Sequence, residues 1–395
     1  MTFTKLRGTI SVASNSYGTS TGYGVQTTYL IDRMVKHGLD VAMLSNYGHE
    51  GSVGVIKTPH GKVDHYPRGF KAYSEDVLNL WHEQHKQKHP GQPDAIVTLY
   101  DQWVFNDAKV DAPVLAWTPL DHVSLPPRVA KFLLKPNVTP VTMAPHGQRQ
   151  LEDAGIASHY IPHAVDTRIF RPVDTIEGVP ARRYLGVDDD AFLVGMVAAN
   201  KANGVIHRKA LAESFLAFAE LKRSRSDAQL YLHMEPSNAF GGFKIIDLLR
   251  ACNLSDDDVI IADSERLRVG YPQEALAGFY SAFDVLLAPS YGEGFGVPTI
   301  EAQACGTRVI GSNWAATPDL VCEDCWVVQG NPLWNEPHQA WMQVPLVGSI
   351  VAALELAYEA PRGVSEVCVE FAQAFDVDRV WSEYWLPFLS KRFPG

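Results

Sequence analysis

"VLLAPSYGEGFGVPTIEAQACGTRVIGS", residues 285–312, is the stretch on which the fold turns. An apolar run of strand length enters a glycine-rich turn, a helical segment follows, and a second apolar run closes it. Such units build parallel sheets covered by helices on both faces. Gly294 and Gly296 remove side chains where the backbone must approach a ligand, and Pro298 suits the first helical position, which needs no N–H. The amides near Phe295, Gly296 and Val297 are then set to face an anion, with the helix dipole favouring phosphate. Glu301, about one turn inside, and Glu293, ahead of the glycines, each offer a carboxylate to the vicinal hydroxyls of a sugar ring. Two carboxylates around a phosphate-sized cradle fit a sugar nucleotide. The same residues also fit a plain glycine turn with one carboxylate satisfying the dipole.

Outward from this stretch the alternation continues. "TISVAS" (9–14), "DAIVTLY" (94–100), "VLAWTPL" (114–120) and "PVTMAP" (140–145) are strand-length apolar runs separated by helical patterns such as "GVQTTYLIDRMVKHG" (24–38). A second series starts at "AFLVGMVAAN" (191–200) and runs through "AQLYLHME" (228–235) and "DVIIAD" (258–263). Two doubly wound α/β domains are expected, joined through the proline-rich, weakly patterned "FRPVDTIEGVPARR" (170–183). "VDRVWSEYWLPFLSKRF" (377–393) reads as an aromatic amphipathic helix that must dock on something. With 395 residues, 46% of them hydrophobic, the chain has enough apolar surface for both cores.

Charge and composition exclude several functions. A formal net charge of −11 supplies no diffuse basic field for nucleic acid or an anionic membrane, so any anion must be held locally. No apolar run approaches the ~20 residues of a membrane span, and the start lacks the design of a signal peptide, which points to a cytoplasmic protein. Five cysteines in a long chain fit reduced thiols.

Three segments carry a resemblance. "PSYGEGFGVPTIEAQACGTRVIGS" (289–312) resembles the signature of the retaining GT-B glycosyltransferases of family four, the group 1 glycosyl transferases, with its glutamate, seven residues, glutamate spacing. "YIPHAVDTRIFRP" (160–172) is similar to the segment where that family's chain passes between domains. "VGMVAANKANGVIHRKALAESFLAF" (194–218) is similar to the strand, loop and helix that carry the Arg and Lys gripping the donor diphosphate. The resemblance implies two Rossmann-like domains facing across a cleft: residues 1–170 for the acceptor, 171–375 for a nucleotide-sugar donor, and 376–395 crossing back to the first. It implies Glu301 on the ribose hydroxyls, Glu293 and the Gly294–Phe295–Gly296 backbone at the transferred sugar, and the amides of Val297 and Thr299 at the phosphates. Asn200 stands where the family usually places Arg. Arg208 and Lys209, assisted by Lys201, are then the cations for the diphosphate. The alternative is a solvated pair near a helix start, although cations are disfavoured at that end of a dipole without an anion.

Other residues admit plainer readings. "NSYGTSTGYGVQTTYL" (15–30) opens a helix after the first strand, and Gly22 and Gly24 let backbone pass close to a ligand. The third glycine and the ribose acid of a dinucleotide fingerprint are missing, which disfavours NAD. By resemblance the loop faces the donor phosphates and the acceptor. "LAWTPLDHVSLP" (115–126) puts Asp121 and His122 just past a strand, where related enzymes hold a histidine near the transferred sugar; His146 and His163 also fall at strand ends. His82, His85 and His89 repeat at helical spacing and read as a solvated face. Cys322 and Cys325 form one "CEDC" with no second pair at zinc-finger spacing, and Cys368 is remote in sequence, so a surface turn and no metal site is expected.

The expected chemistry is electrostatic, with Arg208, Lys209 and backbone amides stabilising the departing diphosphate in place of a divalent ion. No cofactor is expected beyond the nucleotide sugar as substrate, and the acceptor is an unidentified hydroxyl. By resemblance the transfer is retaining, on the front face of a hexose-type sugar. A nucleotide-sugar epimerase or hydrolase of the same fold, and a non-catalytic nucleotide-sugar binding protein, are the alternatives.

Overall fold

The computed structural model describes residues 4–105, 108–202, 206–239 and 241–395. Among these residues the strands form two large sheets and two small hairpins. β1 (Thr9–Ser14), β2 (Asp40–Ser45), β3 (Gly54–Thr58), β4 (Gly61–Tyr66), β5 (Asp94–Leu99), β6 (Val114–Thr118), β7 (Val138–Thr142) and β8 (His159–Tyr160) lie in the order β3-β4-β2-β1-β5-β6-β7-β8. Neighbours are parallel except β3 and β4. β9 (Thr175–Ile176) and β10 (Val179–Pro180) pair in the connecting segment. β11 (Phe192–Val197), β12 (Ala228–His233), β13 (Val259–Ile261), β14 (Val285–Ala288), β15 (Arg308–Ser312) and β16 (Trp326–Val328) form a parallel sheet in the order β13-β12-β11-β14-β15-β16. β17 (Gly330–Asn335) and β18 (Ala340–Pro345) make an antiparallel hairpin.

The apolar runs are continuous because helices cover both faces: all six residues of β1 are buried. Close packing reaches the backbone at Gly195 in β11, where a Cβ would stand 2.2 Å from the Phe283 ring. In each sheet the winding direction reverses, between β1 and β5 and between β11 and β14. Ligands bind beyond the carboxyl ends of strands at such reversals, so the loops after these strands are the natural site.

The C-terminal segment docks on the first sheet and its helices. Trp381 Nε1 donates to His37 Nε2 at 3.0 Å, Trp385 stands edge-on to Trp117 at 5.0 Å, and Arg33 pairs with Asp378 at 2.6 Å. It is not one regular α-helix. Val377–Val380 and Leu386–Ser390 flank a π-helical turn at Trp381–Trp385. Pro387 has no N–H to give to the preceding turn, and the wider turn takes up the mismatch.

The solvated histidine face is corrected by the structure. In the helix Leu78–Lys86, His82 and His85 are 0% and 3% exposed. His82 Nε2 meets Asp94 Oδ2 at 3.1 Å and its Nδ1 meets Ser11 Oγ at 2.8 Å; His85 Nδ1 meets Asp64 Oδ2 at 2.8 Å. The spacing does mark one helix face, but the face turned to the sheet, where strand residues supply the polar partners that permit burial.

Candidate active site

The reversal loops of both sheets bring their charged residues together. Asp121 and His122 follow β6, Asp101 follows β5, Tyr23 sits in the first turn of the helix Gly22–Lys36, Arg208 and Lys209 lie between β11 and the helix Leu211–Ser224, and Glu293 follows β14. Arg208 joins the two halves, because its guanidinium hydrogen-bonds Asp121 through Nη1 and lies 3.5 Å from Glu293 Oε2 through Nη2. Lys209 Nζ pairs with Glu293 Oε1. Burial alone would push Glu293 up, but the charges of Lys209 and Arg208 hold it below the usual carboxylate range. Asp121 is likewise buried, yet His122 and Arg208 hold it well below that range. Asp101 goes the other way: burial, aided by the negative charge of Asp121, outweighs the pull of Arg208 and His122 and lifts it to about 6. Two cations and two ionised carboxylates therefore lie interleaved between the sheets.

His122 is oriented from both sides. Its Nδ1 lies 2.6 Å from Asp121 Oδ1, and the Asn335 side-chain amide donates to its Nε2 at 3.2 Å. That assignment puts the ring hydrogen on Nδ1, facing Asp121. Asn335 comes from the β17–β18 hairpin, which also pairs with the loop after β6 through Val123 and Trp341, while the His338 ring packs tilted against His122 at 4.8 Å. His146 Nε2 contacts the His122 carbonyl oxygen at 2.9 Å, which makes it a support for the loop. His163 is buried under Trp117 and Phe295 with its Nδ1 unpartnered among the described residues, and burial lowers its pKa to about 3. It is a core residue.

The glycine turn has the expected form with two corrections. Gly296 caps the helix Val297–Ala304 at φ +84°, a conformation that favours glycine, and Pro298 is the second helical residue rather than the first. Gly294 is required by close approach: a Cβ there would stand 2.3 Å from Pro119 Cβ, across the cleft. The Phe295 ring is a buried wedge edge-on to His163 and Phe375, so only its backbone is offered to a ligand. The Thr299 amide donates to Gly296 O at 2.9 Å and does not face outward, which leaves Val297 as the donor at this terminus. Glu301 is 9% exposed and accepts from Tyr280 Oη at 2.8 Å. Burial raises it to about 7, partly offset by that hydrogen bond.

Four further residues fall outside the cluster. Lys201 is exposed and, among the described residues, pairs with neither Asp121 nor Glu293. Asn200 is a buried knot whose amide donates to the carbonyls of Glu235, Ser237 and Phe243 and accepts from Phe243 N, bracing the segment that leads to Arg208. Gly24 serves its own turn: its amide donates to Oγ1 of the N-cap Thr21 at 3.0 Å, and a Cβ would collide with Thr19 Oγ1 at 2.0 Å. Gly22 opens the helix with free space around its Cα. Sequence reading did not single out Asp101, Tyr23, Asn335 or His338. Asp101 stands just past the carboxyl end of a strand and Tyr23 at the start of the helix after another, so both were findable by position; the hairpin residues belong to no strand-to-helix loop.

With this geometry in view, comparison with known proteins is specific. Residues 208–334 match the family model described as glycosyl transferases group 1, a span that holds Arg208, Lys209, Glu293 and Glu301. D-inositol 3-phosphate glycosyltransferase of an Arthrobacter species is 26% identical over 329 residues, 74% of each chain. The same-named protein of Corynebacterium jeikeium is 29% identical over 166 residues, 42% of this chain and 38% of its own. Against the first four curated relatives the chain spans only 32–38% of their length. Sucrose-phosphate synthase from Thermosynechococcus elongatus has a similar structure, with a TM-score of 0.72 at 20% identity over 98% of both chains. An alpha,alpha-trehalose-phosphate synthase from Burkholderia xenovorans gives 0.68 at 13% identity, over 97% of this chain and all of its own. Among the described residues no helix is long and apolar enough to cross a membrane.

Proposed function

From a group 1 glycosyl transferase segment at residues 208–334 on a GT-B fold, we propose that the chain is a retaining glycosyltransferase that moves a hexose-type sugar from a nucleotide diphosphate sugar to an acceptor hydroxyl. The observation that carries the reading is the placement of Arg208 between Asp121 of one half and Glu293 of the other, with Lys209 paired to the same Glu293. A diphosphate brings two negative charges to this point, and it competes with the carboxylates for both cations. Glu293 is then left to accept from the hydroxyls of the transferred sugar, and Glu301, ionised, to accept from the ribose.

As the glycosidic bond to phosphate breaks, charge grows on the leaving oxygen while the sugar becomes oxocarbenium-like. Arg208, Lys209 and the Val297 amide stabilise that charge more in the transition state than in the ground state, in the role a divalent ion plays elsewhere. His122, fixed by Asp121 and Asn335, shapes the sugar pocket. The acceptor hydroxyl attacks on the face the diphosphate leaves and loses its proton to the departing phosphate, so configuration is retained. The first half, with Asp101 and the β17–β18 hairpin at its edge, holds the acceptor. A panel of UDP-, GDP- and ADP-hexoses, incubated with hydroxyl acceptors and no added divalent ion, tests the reading by product NMR. Transfer with the donor's anomeric configuration supports it. Free sugar, an epimerised donor, or no consumption of any donor overturns it.

A further inference from the structure

The "CEDC" pair is not an isolated surface turn, and its partner is remote only along the chain. The loop before β16 and the helix Glu366–Ala372 bring Cys322, Cys325 and Cys368 into one triangle, with Sγ–Sγ separations of 3.6, 3.3 and 3.8 Å. All three are free; Cys322 and Cys368 are buried and Cys325 is half-buried. The separations exceed the about 2.05 Å of a disulfide by more than 1 Å. They approach the roughly 3.8 Å that separates two sulfurs bound at about 2.3 Å to one tetrahedral ion.

We propose that Cys322, Cys325 and Cys368 bind one thiophilic divalent cation of the zinc class as thiolates, with an oxygen donor as the fourth ligand. Binding displaces the three thiol protons to solvent and forms three metal–sulfur bonds, with no change of oxidation state. The surroundings fit thiolates. The Val309 amide donates to Cys325 Sγ at 3.3 Å, the kind of N–H···S bond that orients a ligand sulfur. Gln303 supplies oxygen: its Oε1 lies 3.7 Å from Cys325 Sγ and accepts from the Cys322 amide at 2.9 Å. A sulfur and an oxygen on one tetrahedral ion stand about 3.6 Å apart, so Gln303 Oε1, or a water beside it, is placed to complete the shell.

The ion staples three segments that chain connectivity leaves separate: the loop before β16, the helix Glu366–Ala372 and, through Gln303, the helix Val297–Ala304. That last helix carries Glu301 two residues before Gln303. The site is structural, behind the glycine turn rather than in the cleft.

The test is metal content. Purified chain is exposed to equimolar zinc, desalted and measured by mass spectrometry, beside Cys368→Ser and, as a control, Cys252→Ser, whose cysteine lies outside the cluster. One zinc per chain is expected in the wild type and control, and none in Cys368→Ser. Should Cys368→Ser fail to fold, cobalt in the wild-type chain reports instead, through thiolate-to-cobalt charge-transfer absorption that zinc abolishes. Wild-type chain that emerges without zinc and shows no such absorption overturns the proposal. So does a Cys322–Cys368 disulfide in the natively purified chain.

Discussion

Glu301→Gln separates the stability of the fold from its grip on a donor. Burial lifts the Glu301 carboxyl from 4.5 to about 7. Between these values the folded chain holds a proton that the unfolded chain has released, so stability falls as pH rises through this window. The gap corresponds to about 3 kcal/mol, fully felt above pH 7 and absent below pH 4.5. Glutamine keeps an acceptor for Tyr280 Oη and removes the charge. At pH 8 the variant is expected to melt about 5 °C or more above wild type, since a domain of this size shifts about 2–4 °C per kcal/mol; at pH 5 the gap narrows to about 2–3 °C. Donor affinity should move the other way. An ionised carboxylate accepts from both ribose hydroxyls, whereas an amide offers one oxygen, so the variant should bind a nucleotide sugar at least about tenfold more weakly. Wild-type affinity should climb by up to about tenfold per pH unit below 7 and level off above, while the variant stays flat. Melting scans at pH 5 and 8, and calorimetric titration of an intact nucleotide sugar from pH 6 to 8.5, measure both. A variant less stable than wild type at pH 8, or one that keeps the wild-type pH dependence of binding, refutes the reasoning.

Arg208→Ala is expected to lower kcat/KM by about 10²–10³-fold in steady-state transfer assays, the usual loss for one transition-state donor. Arg208→Lys should not rescue it, because a single ammonium cannot replace the planar fork that reaches both Asp121 and Glu293. Gly294→Ala puts a methyl 2.3 Å from Pro119 Cβ and must push the turn off the opposite half; a displacement near 1 Å lowers kcat/KM by about 10²-fold, while the melting temperature changes little. His163 ionises in the unfolded chain near pH 6.5 but only at about 3 in the fold, so stability is lost as pH falls between these values, by about 2 kcal/mol at pH 5. His163→Phe keeps the ring contacts and should flatten the fall in melting temperature between pH 7 and 5.

The fold was legible because its signals are local. Apolar runs, glycine turns and a proline near a helix start each mark a parallel α/β unit, and the glycine stretch at 291–296 marked the turn that Gly296 ends as the helix cap. The cationic pair stood out through the resemblance of segment 194–218, and because cations at a helix start are disfavoured without an anion. What the sequence hid depends on which groups meet across the cleft. Thr299 looked like a phosphate donor until the turn claimed its amide for Gly296 O. His82 and His85 carried helical spacing without any sign of which face they marked, because Asp94 and Asp64, the partners that permit their burial, sit on separate strands. Asn335 reaches His122 from a hairpin 213 residues away, a separation no motif spans. Cys368 failed the spacing rules for the same reason: those rules assume ligands in one or two short loops, and here a helix brings the third sulfur from 43 residues beyond Cys325.

The central claim is that Arg208 and Lys209 grip the diphosphate of a sugar nucleotide between the two halves. Calorimetric titration of the UDP-, GDP- and ADP-hexose panel into the full chain, in buffer without magnesium or manganese, tests it most directly, with Arg208→Ala and Lys209→Ala titrated alongside. The account predicts saturable one-to-one binding of at least one donor to the wild type and a loss of about tenfold or more in each variant. Absence of binding by every donor, or binding undiminished in both variants, contradicts it.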